Sequence, residues 1–143
     1  MSNFALLRAL GEAGCTLLLK RGVAASLREW RLAAEHALHA GAAGVVFCER
    51  GIKGQDPETR NTLDLGAVAL LAADGHTVIV DPSHAAGRRD LVAPLSKAAL
   101  AAGAAGLLLE MHPDARHARS DGAQALSPEE LTGLFAACGQ GAS

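Results

Sequence analysis

The chain has 143 residues, half of them apolar but only 3% aromatic, with a formal net charge of −2 at pH 7. That length suits a single domain over residues 1–143, and such a chain buries roughly 68–70% of its unfolded surface. The basic residues are scattered, which argues against a nucleic-acid or membrane surface. The longest apolar run, Ala98 to Leu109, is too short to span a bilayer. The three cysteines, Cys15, Cys48 and Cys138, form no C-x-x-C and no even framework, so a reducing cytoplasm fits better than an oxidising compartment. Residues 1–15 carry Arg8 and Glu12 inside a helical pattern and do not read as a signal peptide.

An opening helix is expected near Asn3–Ala13. Four short aliphatic runs then read as buried strands: Thr16–Leu19, Gly44–Cys48, Thr77–Val80 and Gly106–Leu109. Their spacing is roughly that of successive βα units, and helical patterns fill the gaps. Ser26-Leu27-Arg28-Glu29 fits a capping box that starts a helix with the apolar stripe Leu27, Trp30, Ala34, Ala37 and Leu38. Further helices are expected near Leu63–Ala72 and Asp90–Ala102, and after Ser127-Pro128-Glu129-Glu130, ending before Gly139. Gly41-Ala42-Ala43-Gly44 and Gly103-Ala104-Ala105-Gly106 precede the second and fourth strands as helix-to-strand turns. Continuous apolar strands alternating with helices predict an α/β fold with a parallel sheet.

Each predicted strand ends in polar or charged residues: Lys20-Arg21-Gly22, Glu49-Arg50-Gly51, Asp81-Pro82-Ser83-His84 and Glu110-Met111-His112-Pro113. Active sites of parallel α/β folds form at this end of the strands. His84, Glu110 and Asp121 make an imidazole and two carboxylates, a donor mixture suited to Mn, Fe, Co or Zn. From residue types alone Asp121 reads more readily as the start of an Asp-Gly turn. Lys20 and Arg50 can hold a phosphate or take part in ordinary ion pairs. The remaining histidines read as structural or solvated, Cys48 as a small core residue, and Trp30 as helix-to-sheet packing.

The ordered segments L-L-K-R-G (Leu18–Gly22), E-W (Glu29–Trp30), C-E-R-G-I (Cys48–Ile52), T-R-N-T-L-D (Thr59–Asp64), D-P-S-H (Asp81–His84), G-R-R-D-L-V (Gly87–Val92), H-P (His112–Pro113) and S-D-G (Ser120–Gly122) resemble one family. It is the 3-deoxy-7-phosphoheptulonate synthases of the type similar to 3-deoxyoctulosonate-8-phosphate synthase. The resemblance implies a (β/α)8 barrel of TIM type, of which this chain would supply a C-terminal (βα)4 half, with helices on one side of the sheet. It implies condensation of phosphoenolpyruvate with erythrose 4-phosphate, the first step of the shikimate pathway. Lys20, Arg50 and Asp81 would be catalytic, with Lys20, Glu49 and Arg50 contacting substrate. His84, Glu110 and Asp121 would be three of four ligands to a divalent metal.

The departures are specific. The family's fourth ligand is a cysteine on the first barrel strand, and none of the three cysteines here matches it. The K-P-R-T-S segment, which contributes phosphate contacts and most of the erythrose-phosphate site, is missing. Lys53-Gly54-Gln55-Asp56 stands where relatives usually carry Arg-Thr-Phe-Glu, and Thr16 and Thr77 replace frequent prolines. Met1-Ser2-Asn3-Phe4 resembles the family's internal M-x-N-F, so the chain is expected to begin mid-barrel as a truncated or split form. Expected partners are phosphoenolpyruvate, erythrose 4-phosphate, and a second copy or a complementary N-terminal half. The competing expectation is a noncatalytic remnant or partner subunit that binds phosphometabolite or metal.

Overall fold

The computed structural model describes residues 3–139. Met1 and Ser2 of the M-x-N-F segment lie outside the described residues, as do residues 140–143. In chain order, α1 (Phe4–Glu12), β1 (Thr16–Lys20), α2 (Leu27–His39), β2 (Gly44–Glu49), α3 (Leu65–Ala73), β3 (Val78–Val80), α4 (Pro82–Ala86), α5 (Val92–Ala101), β4 (Gly106–Leu107) and α6 (Pro128–Gly139) follow one another. Single 3₁₀ turns cover Arg89–Leu91 and Ala115–His117. The strands form one parallel sheet in the order β1-β2-β3-β4, as the alternation of strands and helices predicts.

The local start signals act as read. Ser26 Oγ accepts from Glu29 N at 3.2 Å, and the Glu29 carboxylate accepts from Ser26 N at 2.8 Å, closing the capping box of α2. Ser127 and Glu130 make the same reciprocal pair ahead of α6. Gly139, expected beyond that helix, lies within it. Gly41 and Gly103, which lead into β2 and β4, both take positive φ (112° and 99°), the left-handed backbone that favours glycine.

Three elements differ from expectation. α4 arises at Asp81-Pro82-Ser83-His84, which in the sequence reads as the polar end of the third strand. The Asp81 side chain caps it by accepting from His84 N, Pro82 opens it, and Gly87 closes it at φ 68°. The predicted Asp90–Ala102 helix is split by the 3₁₀ turn at Arg89–Leu91. β4 is shorter than Gly106–Leu109 because the backbone beyond Leu108 finds other partners: Glu110 N donates to Ser83 Oγ, and Leu126 N donates to Glu110 O.

The helices pack on one face of the sheet. Trp30, Phe47, Val68, Leu71, Val78 and Val80 form the main core there. The Trp30 and Phe47 rings meet edge-on at 5.0 Å, and Trp30 Nε1 donates to Leu19 O at 3.0 Å. Side chains of alternate parity face the other way. Leu18 is 48% exposed on that open face, with Val46, Ile79 and Leu108 half-buried.

Candidate functional site

The pleat decides which strand-end side chains meet. Register pairs Lys20 with Cys48 and Cys48 with Ile79, placing all three in line on the open face. Two residues further along β2 comes Arg50, and two along β3 comes Asp81, so both share that face. The odd partners, Arg21 and Glu49, point to the helix side.

Lys20 Nζ lies 2.9 Å from Asp81 Oδ2, and the same oxygen is 2.9 Å from His84 Nδ1. Asp81 is fully buried. The His84 Nδ1–H donates to this carboxylate, which leaves the Nε2 lone pair for another group. Nε2 faces Glu110 Oε1 at 3.8 Å and Asp121 Oδ1 at 4.0 Å. The three residues read as ligands from the sequence thus converge on one imidazole nitrogen. Their backbone is held independently: Asn61 Nδ2 donates to His84 O at 3.0 Å, and buried Ser83 Oγ accepts from Glu110 N at 3.1 Å.

Asp121 is both a turn residue and a site residue. It is the one non-glycine residue with positive φ (57°) among the described residues. Its carboxylate meets Arg60 Nη1 at 3.2 Å and also accepts from Gln124 Nε2. These hydrogen bonds, Gln124 first and Arg60 second, hold its carboxyl below the ordinary carboxylate range. Arg60 and Gln124 were not singled out in the sequence. The available signal for Arg60 was its place in T-R-N-T-L-D; for Gln124 there was none.

A divalent ion with bonds near 2.1 Å holds neighbouring donors roughly 3.0–3.4 Å apart. Glu110 and Asp121 stand 3.8 and 4.0 Å from His84 Nε2, about 0.4–1.0 Å wider than that, and among the described residues no group of three His, Cys, Asp or Glu is placed to hold a metal ion. By chemistry alone the donors suit such an ion: one imidazole, oriented by a carboxylate, facing two carboxylates. Burial, with the Asp81 charge second, pushes the Cys48 thiol up to about 12.

Arg50 has no ion pair among the described residues, and its Nε is buried without a hydrogen-bond partner. Such an orphaned donor beside Lys20 suits an anion. Glu49, expected to contact substrate, is fully buried on the helix side. Its oxygens accept from Arg21 Nη1 at 2.9 Å and Gly51 N at 2.6 Å. Gly51 permits this with φ 86°, where an added Cβ would come within 2.6 Å of Asn61 Cβ. Glu49 therefore shapes the turn that aims Arg50. The remaining histidines occupy structural or solvated positions, with His117 bonded to Asp114 and His76 packed on Phe47.

The fold is that of the parallel α/β proteins, with polar residues gathered at the carboxyl ends of the strands. The DAHP synthetase I family model matches residues 1–140, and the chain belongs to that family. It is 46% identical over 128 residues to phospho-2-dehydro-3-deoxyheptonate aldolase of Thermotoga maritima, covering 89% of this chain and 38% of that protein. It is 30% identical over 142 residues to 2-dehydro-3-deoxyphosphooctonate aldolase of Bartonella tribocorum, covering 91% of this chain and 50% of the relative. The crystal structure of the Thermotoga maritima DAHP synthase superposes with a TM-score of 0.95 at 42% identity, over 99% of this chain and 42% of that one. A truncated form of the same synthase matches equally well, with 54% of its length covered. The chain thus spans about half or less of these relatives and folds as a (βα)4 portion of a TIM-type barrel. No helix among the described residues is long and apolar enough to cross a membrane.

Proposed function

We propose that this chain carries the metal-binding and phosphoenolpyruvate-binding part of a 3-deoxy-7-phosphoheptulonate synthase. The observation that carries the reading is the convergence of Glu110 and Asp121 on His84 Nε2, beside the Lys20–Asp81 pair at the neighbouring strand ends. Lys20 and the partnerless Arg50 supply the cations that a phosphate and carboxylate require, held in fixed positions at the rim of the sheet. His84, Glu110 and Asp121 would hold the divalent ion, which when bound orients or polarises an aldehyde oxygen or a water.

The reaction joins the methylene carbon of phosphoenolpyruvate to the aldehyde carbon of erythrose 4-phosphate. The oxygen of a water ends on the carbon that bore the phosphate, and inorganic phosphate leaves. Greater identity to the heptonate aldolase than to the octonate aldolase favours the four-carbon aldehyde. A second reading is a noncatalytic phosphometabolite- or metal-binding subunit, which the same strand-end cations and carboxylates would serve.

The test is phosphate release from phosphoenolpyruvate in the presence of Mn²⁺. Erythrose 4-phosphate is compared with a five-carbon aldose phosphate, the size that an eight-carbon product demands. Release that depends on the four-carbon sugar and on metal is the expected result. Binding of phosphoenolpyruvate without release would replace the enzymatic reading by the second one, and release only with the five-carbon sugar would reassign the substrate.

A further inference from the structure

One carboxylate touches both halves of the site, and that contact has a thermodynamic consequence. Asp81 Oδ2 lies 2.9 Å from Lys20 Nζ and 2.9 Å from His84 Nδ1, while Oδ1 accepts from His84 N at 3.0 Å. The carboxylate is fully buried, so water does not make up for a lost partner. Its charge is shared between an anion-binding cation on β1 and the imidazole on α4 that faces the ligand carboxylates. Lys20 is partly exposed, with 39% of its side chain accessible, so its ammonium can turn outward to a bound anion.

We infer that Asp81 is a positioning residue that couples the two sites, so that anion and metal each tighten the binding of the other. When an anion draws the Lys20 ammonium away, Asp81 Oδ2 keeps only the His84 Nδ1–H. That hydrogen bond strengthens, and the electron density it lends the ring makes Nε2 a better ligand. In the other direction, a cation on Nε2 makes Nδ1–H a stronger donor. Asp81 then shifts toward His84, and Lys20 is released for the anion. Linkage requires the two effects to be equal. Attraction through space between the two ligands has the same sign, so the contribution of Asp81 is what its removal takes away.

The inference rests on the proposed metal and anion sites, and the experiment separates its failure from theirs. Mn²⁺ affinity is measured from the free-ion electron paramagnetic resonance signal. Sulfate stands in for the phosphate group, with chloride matching ionic strength in the control. Wild type should bind Mn²⁺ about fivefold or more tightly with saturating sulfate. Asp81→Asn keeps the shape and the oxygen that caps α4 but removes the charge, and should show less than half of that effect. A second measurement needs no variant. In metal-free wild-type protein, the ¹⁵N resonances of the His84 ring should move as sulfate is added. Equal tightening in both proteins, or a His84 ring unmoved by sulfate, would overturn the coupling while leaving both sites standing. Failure of wild type to bind Mn²⁺ at all would overturn the coupling and the site together.

Discussion

Arg21 reaches under the site from the helix side of β1, and its guanidinium is 4% exposed. Nη1 donates to Glu49 and to Asp64 at 2.9 Å each, Nε donates to Ala25 O at 3.0 Å, and the group lies 5.6 Å from the Trp30 ring. Burial would lower its pKa, but the hydrogen bonds to Asp64 and Glu49 outweigh that and raise it. Burial also pushes the Glu49 carboxyl up, against hydrogen bonds from Arg21 and the Gly51 N–H. The two shifts pull in opposite senses for one ion pair. Because a guanidinium keeps its proton throughout the accessible pH range, Glu49 has a permanent counter-ion, and the ionised pair is the state the geometry supports. Breaking a buried pair by removing one partner strands the other charge. Arg21→Met should therefore cost ~3–5 kcal/mol, read as a shift of the urea midpoint at constant slope. Arg21→Met combined with Glu49→Gln should recover part of the loss. A single-variant loss under about 1 kcal/mol, the size of an exposed pair, would mean that Glu49 does not depend on Arg21.

α3 begins at a residue with two tasks. Asp64 accepts from Ala67 N at 3.0 Å as the cap and from Arg21 as an ion-pair partner. Burial would raise its carboxyl, but the Arg21 hydrogen bond and the Ala67 N–H outweigh that and hold it below 3.8. A carboxyl depressed in the folded state contributes stability above its ordinary pKa and loses it as pH falls through the folded value. Asp64→Asn keeps the cap and deletes the charge. It should cost ~1.5–3 kcal/mol at pH 7, and the gap from wild type should begin to narrow as pH falls below about 3.8. Unfolding curves at pH 7 and pH 3 check this, and a gap unchanged by pH would contradict it. The elements most legible in the sequence were those fixed by near neighbours. The capping boxes at Ser26 and Ser127 and the aliphatic runs of β1 and β2 depend on residues three or four apart. The signals for α4, Pro82 after Asp81 and Gly87 at its end, were also local, but the polar D-P-S-H segment read as the end of a strand. The burial of Glu49 was also legible, since period-2 parity with Phe47 turns it toward the helices. The length of β4 and the seat of Asp121 were not legible, because Ser83, Leu126 and Arg60 reach them from distant parts of the chain, and the nearby Gln124 carries no sequence signal for its bond.

Taken whole, the described residues form a sheet whose outer strands, β1 and β4, each have one unpaired edge, and whose open face leaves Leu18 48% exposed. Val78 packs against the helices at 1% exposure, so Ile79 takes the open-face position on β3, with Val46 and Leu108 half-buried beside it. Free strand edges and contiguous apolar surface recruit further strands. Light scattering of the purified chain at several concentrations should therefore give a mass above that of one copy. A cooperative monomer that binds no hydrophobic dye would contradict this. The proposed function turns on the strand ends of the same sheet, where parallel register brings His84, Glu110 and Asp121 together and would let them hold one metal ion. Calorimetric titration of Mn²⁺ and Zn²⁺ into wild type, His84→Ala and Glu110→Ala tests it most directly. Replacing His84 or Glu110 should weaken binding by about 10–100-fold or more, at least as much as losing an outer-shell partner of a metal ligand. Equal binding by all three proteins would contradict the account.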